Sequence, residues 1–247
     1  ERDPALGLRI FRDSFCGVRA LMYNSLEERA LIQAVSNNDN VPNVVVGVGS
    51  EIQTAPEPER FRQTTGIEGP LMIYIGRIDK NKGCGELFDY FQRYARLSPR
   101  LNLVLIGKTV MPIPDHPQIR HLGFVTDQQK FDALAAAELL VMPSYYESLS
   151  MVTLEAWALG RPVLVNGRCD VLCGQSIRSN AGLYYENYEE FAETLHAILS
   201  NRTLQSCLGR NGRAYFDAHY SWPVIERKYL DVLQRLERED AELQSKP

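Results

Sequence analysis

The sequence predicts a Rossmann-like α/β fold, in which a parallel sheet is covered by helices on both faces. Along residues 70–221, short apolar runs alternate with segments of helical periodicity. The runs are nearly continuous in apolar residues, which is typical of parallel strands buried on both faces. Most of them end at glycine, proline or a small polar residue, where a loop can begin.

Composition narrows the class of protein. The 247 residues are 45 % apolar and 23 % charged, as in ordinary globular domains. A net charge of −4 argues against nucleic acid as a partner, because such binders are usually basic. Five cysteines without CxxC spacing predict reduced thiols and a cytoplasmic location, with peripheral membrane association of a longer protein left open. Cys169 and Cys173 are four residues apart, but no histidine cluster near them completes a zinc site.

The chain before residue 70 predicts few elements. Residues 1–18 suggest a loose helix or arm. Strands are expected at 19–23 and 41–48, and Ser25 with Glu28 predicts a capping box that opens a helix. Residues 51–69 are rich in proline, glutamate, glutamine, threonine and glycine, and this composition predicts a linker.

From residue 70 onward the elements follow one another regularly. Strands are predicted at 71–75, 101–106, 119–124, 139–142, 163–165 and 182–185. Helices are predicted at 85–97, 127–137, 151–159, 169–178, 188–199, 204–218 and 222–242. Pro223 suits the first turn of the last helix. The alternation favours a parallel sheet, whose ligands bind where the strands end.

Glu147 and Glu155 flank a loop and a helix start between two of these strands. Eight residues of helix span about 12 Å, more than the roughly 5–9.5 Å between glycosidase carboxylates. The two carboxylates should therefore bind two parts of one elongated ligand. Between them lie amides at a helix N-terminus, where anions bind. These amides belong to Ser148, Leu149, Ser150 and Met151. Equally, Glu147 could cap the helix and Glu155 could be solvated.

A second polar loop runs from Gly76 to Gly83, after the predicted strand 71–75. Its Arg77 and Lys82 combine a guanidinium fork with a point charge, which suits a diphosphate. A solvated basic loop is the alternative interpretation. Both polar loops leave the carboxyl ends of parallel strands, so we expect them to face one another.

Together the two loops resemble the retaining glycosyltransferases of the GT-B fold, the group 1 or family 4 set. That family carries a G-R-x-x-x-x-K-G loop and, further along, E-x7-E on an alanine-rich helix followed by glycine and proline. The corresponding residues are Gly76, Arg77, Lys82, Gly83, Glu147, Glu155, Gly160 and Pro162. The resemblance covers residues 19–235 and includes the intermediate segments 104–107, 121–125 and 143–144.

The resemblance implies transfer of a sugar, of the hexosyltransferase type, from a nucleotide diphosphate sugar with retention of configuration. Arg77 and Lys82, next to Gly76, would hold the donor diphosphate. Glu147 would meet the hydroxyls of the transferred sugar, and Glu155 the ribose. The sugar and phosphate pocket would be lined by Ser148, Leu149, Ser150 and Met151. Val125 would lie near the base. No Asp-x-Asp pair is present, so no metal cofactor is expected.

Two segments depart from the family pattern. Many members have Glu-Gly-Phe-Gly where this chain has Glu147-Ser-Leu-Ser150, and serine allows fewer backbone conformations than glycine. The resemblance therefore implies a donor class rather than one donor. The segment 166–170 replaces a Gly-Gly of the family, and its Asp170 is either a donor contact or part of a turn.

GT-B enzymes have two Rossmann-like domains, and the resemblance assigns this chain mainly to the C-terminal, donor-binding one. We expect 1–50 to be the tail of an N-terminal domain, 51–69 a linker, 70–221 the nucleotide-sugar-binding domain and 222–247 a crossover helix. Alone, the chain should be inactive or weak. A missing N-terminal domain would select the acceptor, a sugar, lipid-linked sugar or other hydroxyl compound. A nucleotide-sugar-binding module, a degenerate partner subunit and a sugar-nucleotide epimerase stay open.

Overall fold

The computed structural model describes residues 11–245, which form two compact units. One unit holds residues 50–218, and the other holds 11–49 with 219–245. The helices are α1 (Arg12–Cys16), α2 (Leu26–Ser36), α3 (Pro58–Thr65), α4 (Cys84–Ala95), α5 (Asp127–Ala136), α6 (Met151–Ala158), α7 (Asp170–Ser179), α8 (Tyr188–Ser200), α9 (Arg202–His219) and α10 (Trp222–Gln244). The strands are β1 (Leu21–Tyr23), β2 (Asn43–Val45), β3 (Leu71–Ile75), β4 (Asn102–Ile106), β5 (Ile119–Gly123), β6 (Leu139–Met142), β7 (Val163–Asn166) and β8 (Gly182–Tyr185).

In the smaller unit, β1 and β2 form a parallel pair. The Ser25 hydroxyl accepts a hydrogen bond from the Glu28 amide at 3.1 Å, so Ser25 caps α2. The predicted capping box is only half formed, because the Glu28 carboxylate accepts from the Asn24 amide instead of the Ser25 amide. The predicted strand 41–48 shortens to three residues. Helix α10 packs in this unit: the Trp222 ring lies against Gly49, and Lys228 donates to the Val46 carbonyl at 3.1 Å. Residues 1–10 of the predicted arm and 246–247 of the predicted crossover helix lie outside the described residues.

The larger unit contains the predicted parallel sheet, with strand order β5-β4-β3-β6-β7-β8. Every residue of β3, β6 and β7 is buried. Side chains alternate between the faces: Met72 and Tyr74 join a core with Phe91 of α4 and Leu195 of α8. Helices α5, α6 and α7 also pack on the sheet. The predicted Rossmann-like class is confirmed.

The linker prediction for residues 51–69 missed helix α3, which packs against α5 in the larger unit. Its Phe61 is buried, and the Arg62 guanidinium donates to the carbonyls of Ile67 and Gly69 at 3.0 and 2.6 Å. The short polar helix has one buried residue, so its sequence lacks an apolar stripe. From β3 onward, predicted and observed elements agree within two residues at each end.

Helix α6 is anchored through its tryptophan. Trp157 is fully buried, and its indole N–H donates to the Ala181 carbonyl at 3.4 Å. The Trp157 ring meets Tyr215 of α9 edge-on, with 5.5 Å between ring centroids. A side chain at Gly212 would collide with the indole, so this glycine lets α9 pack against α6. The packing anchors α6, on which Met151 and Glu155 of the predicted site lie.

Candidate functional site

The strand order reverses between β3 and β6, so the two loops that leave these strands flank the switch point of the sheet. They are the β3–α4 loop, residues 76–83, and the β6–α6 loop, residues 143–150. At Gly83 the backbone has φ +71°, and a Cβ would lie 2.0 Å from the Pro143 carbonyl oxygen. A larger residue would force the loops apart. The loops expected to face one another are therefore in contact.

Lys82 and Glu147 join the two loops. The Lys82 ammonium lies 2.7 Å from a Glu147 carboxylate oxygen, and the side chains are 32 % and 12 % exposed. This ion pair brings the residue predicted for the diphosphate next to the residue predicted for the transferred sugar. An ammonium has three N–H donors, so Lys82 can hold Glu147 and a phosphate oxygen together.

Arg77 is turned toward Asp79, whose carboxylate accepts its Nε–H. The Arg77 side chain is 59 % exposed, and it borders an open groove of about 510 Å³. Asp79 is buried and also accepts the Lys82 amide at 2.9 Å. Burial alone would raise the pKa of Asp79, but the Lys82 amide and the Arg77 guanidinium outweigh it and lower that pKa. Sequence reasoning missed Asp79, although aspartate three residues before Lys82 has the spacing of a side-chain-to-backbone turn.

The start of α6 presents free amides at this site. The Ser150 hydroxyl caps the helix, since it accepts hydrogen bonds from the Thr153 amide at 3.3 Å and from the Thr153 hydroxyl at 2.9 Å. The alternative in which Glu147 caps the helix is therefore wrong. Within residues 11–245, the amides of Met151 and Val152 donate to no acceptor. Ser148 is exposed and Leu149 half-buried in the loop before the cap.

Glu155 is not the solvated residue of the alternative interpretation. Its side chain is 13 % exposed, and one carboxylate oxygen accepts the Lys130 ammonium at 3.0 Å. The other oxygen is buried without a hydrogen-bond partner in the described part of the chain. Burial raises the pKa of Glu155, and Lys130 opposes this effect. Lys130 lies on α5, distant in sequence, and no local pattern indicated the pair.

Val125 lies elsewhere. It lines a cleft of about 440 Å³ between α3 and the start of α5, together with Phe61 and Leu122. The other predicted site residues do not line this cleft. The cleft floor carries Asp132, which the Arg60 guanidinium holds, and this contact lowers the pKa of Asp132 to about 2.

The remaining candidates have ordinary surroundings. Asp170 is exposed in the first turn of α7. Cys169 and Cys173 are not joined by a disulfide, and burial raises the pKa of Cys169. No three His, Cys, Asp or Glu side chains gather into a metal site between residues 11 and 245. Over the same range, no helix combines the length and apolarity needed to cross a membrane.

The family model described as "Glycosyl transferases group 1" matches residues 69–201, more than half of the chain. The chain belongs to this family. The match covers both loops of the switch point, and it confirms the resemblance inferred from their motifs.

Among similar proteins, the mannosylfructose-phosphate synthase of Agrobacterium fabrum is 26 % identical over an alignment of 195 residues, and the match covers 71 % of this chain and 43 % of that protein. The lipopolysaccharide core biosynthesis glycosyltransferase LpsE of Rhizobium meliloti is 28 % identical over 186 residues, covering 71 % and 53 %. The chain thus spans about half the length of these relatives.

The crystal structure of Anabaena HepE in complex with UDP superposes with a TM-score of 0.82, at 17 % identity, over 95 % of this chain and 69 % of that one. At this identity the likeness concerns the fold, which is that of GT-B glycosyltransferases. The prediction of a C-terminal GT-B domain is therefore confirmed.

Proposed function

We propose that this chain binds a nucleotide diphosphate sugar and supplies the donor half of a glycosyl transfer that retains configuration. The observation that carries the proposal is the Lys82–Glu147 contact at the switch point, 2.7 Å long. The contact supports the proposal because Lys82, which we propose for the diphosphate, lies beside Glu147, which we propose for the sugar hydroxyls. HepE binds UDP on a similar fold, which makes UDP the first ligand to test.

Stabilisation of the leaving diphosphate is the main catalytic effect expected of these residues. Negative charge grows on the diphosphate as the bond to the sugar breaks. Lys82, Arg77 and the Met151 and Val152 amides are the positive groups available for it, and fixed donors stabilise such charge without reorganising. Arg77 would keep its contact to Asp79 while its remaining N–H groups turn to phosphate, because a guanidinium has five donors.

Glu147 and Glu155 would bind the two polar ends of the donor. Glu147 is held by Lys82 and would accept hydrogen bonds from the sugar hydroxyls on the reacting face. Glu155 has one buried carboxylate oxygen without a partner among the described residues, and a ribose hydroxyl could donate to it. This arrangement fits a ligand in which phosphates lie between two groups that carry hydroxyls.

Calorimetry with UDP and the other nucleoside diphosphates tests donor binding. Arg77→Ala should weaken binding about tenfold or more, since hydrogen bonds to charged groups contribute roughly 1.5–3 kcal/mol. Arg96→Ala is the matched control, because Arg96 is exposed in the same unit and lies outside the site. Equal affinities for both variants and the wild type, or no heat with any nucleotide, would overturn the donor assignment.

Turnover must be measured on a longer protein that includes an N-terminal domain. There, Glu147→Gln should lower kcat while donor affinity is largely kept. Product anomers identified by NMR would test retention, and an inverted product would refute it. Product formed without acceptor would indicate an epimerase instead.

We propose a reaction independent of metal, so activity should survive excess EDTA. Loss of activity in EDTA that magnesium restores would contradict this.

A further inference from the structure

Four arginines line one groove at the end of the sheet opposite the switch point. The groove, of about 810 Å³, lies beside the turn from α6 into β7 and the first half of α9. We call it the arginine groove, and its basic residues are Arg161, Arg202, Arg210 and Arg213. Among the described residues, no carboxylate side chain lines it. For a chain with net charge −4, this is a marked local excess of positive charge.

Close backbone packing builds the groove. Gly160 ends the α6 turn with φ +63°, and Gly209 of α9 lies against it. A Cβ at Gly209 would lie 2.2 Å from the Gly160 carbonyl oxygen, so only glycine allows α9 to approach. This approach brings Arg161, on the turn, next to the arginines of α9.

The guanidiniums retain unused hydrogen-bond donors. Arg161 donates from Nη1 to the Ala137 carbonyl at 3.1 Å, but its Nε is buried and has no acceptor among the described residues. Arg210 donates to the Ser206 hydroxyl at 2.7 Å and to no other acceptor in the described part of the chain. Neither arginine forms an ion pair within residues 11–245.

The other two arginines each hold one carboxylate. Arg202 contacts Glu138 at 3.0 Å, and Arg213 contacts Asp217 at 2.8 Å while also donating to the Ala158 carbonyl. Two carboxylates thus face four guanidiniums. The excess charge and the unpaired donors are what an anion would satisfy, since burying an N–H group without a partner costs free energy.

We propose that the arginine groove binds a phosphate-bearing anion with at least two charged groups, independently of the donor site. Arg202 and Arg210 are eight residues apart on α9, about 12 Å along the helix axis, so the basic residues extend along the groove and suit an anion with more than one charged group. Guanidiniums match phosphate geometry through paired N–H donors. A soluble polyphosphate or sugar phosphate and the headgroups of an anionic membrane both offer this chemistry.

The test uses the 247-residue chain with inorganic pyrophosphate in calorimetry, and with phosphatidylglycerol vesicles in cosedimentation. Arg202→Gln/Arg210→Gln should weaken binding about tenfold or more, from the loss of charged hydrogen bonds. Arg96→Gln, exposed in the same unit, is the control. Because pyrophosphate can also bind at the donor loops, the titration is repeated in the Arg77→Ala background, where the groove variant should still lose binding.

Each outcome decides one point. Pyrophosphate binding that depends on the groove, without vesicle binding, supports the site and assigns it to a soluble anion. Groove-dependent binding to phosphatidylglycerol but not to phosphatidylcholine vesicles supports it and assigns a membrane headgroup. If the groove variant binds both probes as the wild type does, or the wild type binds neither, the proposal is overturned. Thermal melts of the variants show whether the fold is kept.

Discussion

Replacing Lys130 with methionine should destabilise the protein in a way that depends on pH. The substitution keeps an apolar stem of similar length but removes the counter-charge from Glu155, whose side chain is only 13 % exposed. A buried carboxylate without its cation either stays charged at high cost or becomes protonated. Protonation therefore sets an upper limit to the destabilisation from this cause.

The limit follows from the ordinary pKa of glutamate, 4.5. Keeping the carboxyl protonated costs RT ln(1 + 10^(pH − pKa)), which is about 3.4 kcal/mol at pH 7 and about 0.8 kcal/mol at pH 5. Without Lys130 the folded-state pKa of Glu155 rises further above its unfolded value. Folded Glu155 then binds more protons than the unfolded chain, so stability falls as pH rises. The penalty should grow by up to about 2.6 kcal/mol between pH 5 and pH 7.

Urea unfolding of wild type and Lys130→Met at both pH values measures this difference. The double variant Lys130→Met/Glu155→Gln has no carboxyl at this position, so its stability relative to the wild type should change far less over the same range. Lys130 also lies 3.1 Å from the exposed Asp127 carboxylate. Loss of this second contact contributes at most about 1 kcal/mol and little pH dependence in this range. An equal penalty at pH 5 and pH 7 would refute the electrostatic explanation and point to packing.

Two further outcomes follow from the contacts of the larger unit. Gly83→Ala should lower the free energy of unfolding by more than the roughly 1–2 kcal/mol that a non-glycine residue loses in a left-handed backbone conformation. The reason is that its Cβ would meet the Pro143 carbonyl, and the same collision should weaken UDP binding. Gly66→Ala is the control for the backbone conformation alone, because Gly66 has φ +65° and its Cβ would meet no atom within 4 Å. If denaturant unfolding showed the same loss of stability for Gly83→Ala and Gly66→Ala, the loop contact would be contradicted. Asp132→Asn should destabilise at pH 6, and the difference from wild type should shrink as pH falls from about 4 toward 2, because the Arg60 contact lowers the folded-state pKa. If denaturant unfolding gave the same difference in stability between Asp132→Asn and wild type at every pH in that range, this explanation would be contradicted.

Short-range patterns predicted the fold well because strands buried on both faces, such as β3 and β6, are continuous apolar runs that end at a glycine or a proline. The same patterns placed Lys82 and Glu147 at the switch point, since loops after parallel strands meet at one edge. The Lys130–Glu155 pair was not predictable in this way. It depends on how α5 and α6 pack, which is a tertiary property. Helix α3 was missed because its contacts come from single residues rather than from an apolar stripe.

Arg77 shows a different limit of sequence reasoning. Its position in the β3–α4 loop was expected, but its partner was not, because Asp79 is only two residues away and either side chain could have faced solvent. The burial of Asp79 decides the matter. The Asp79 carboxylate therefore holds the Nε–H of Arg77 and leaves the terminal N–H groups of the guanidinium free within the described residues. Composition alone does not predict this arrangement.

The burial of Trp157 also gives the chain an internal optical reporter. The protein has two tryptophans; Trp157 is fully buried in the larger unit, and Trp222, in the smaller one, is 44 % exposed. A buried indole emits at shorter wavelength than an exposed one, so the two compact units carry spectrally distinct fluorophores. Trp222→Phe would leave the emission of Trp157 alone, on the helix whose first amides lie at the switch point of the sheet. Unfolding of the larger unit could then be followed in unlabelled protein, separately from the smaller one.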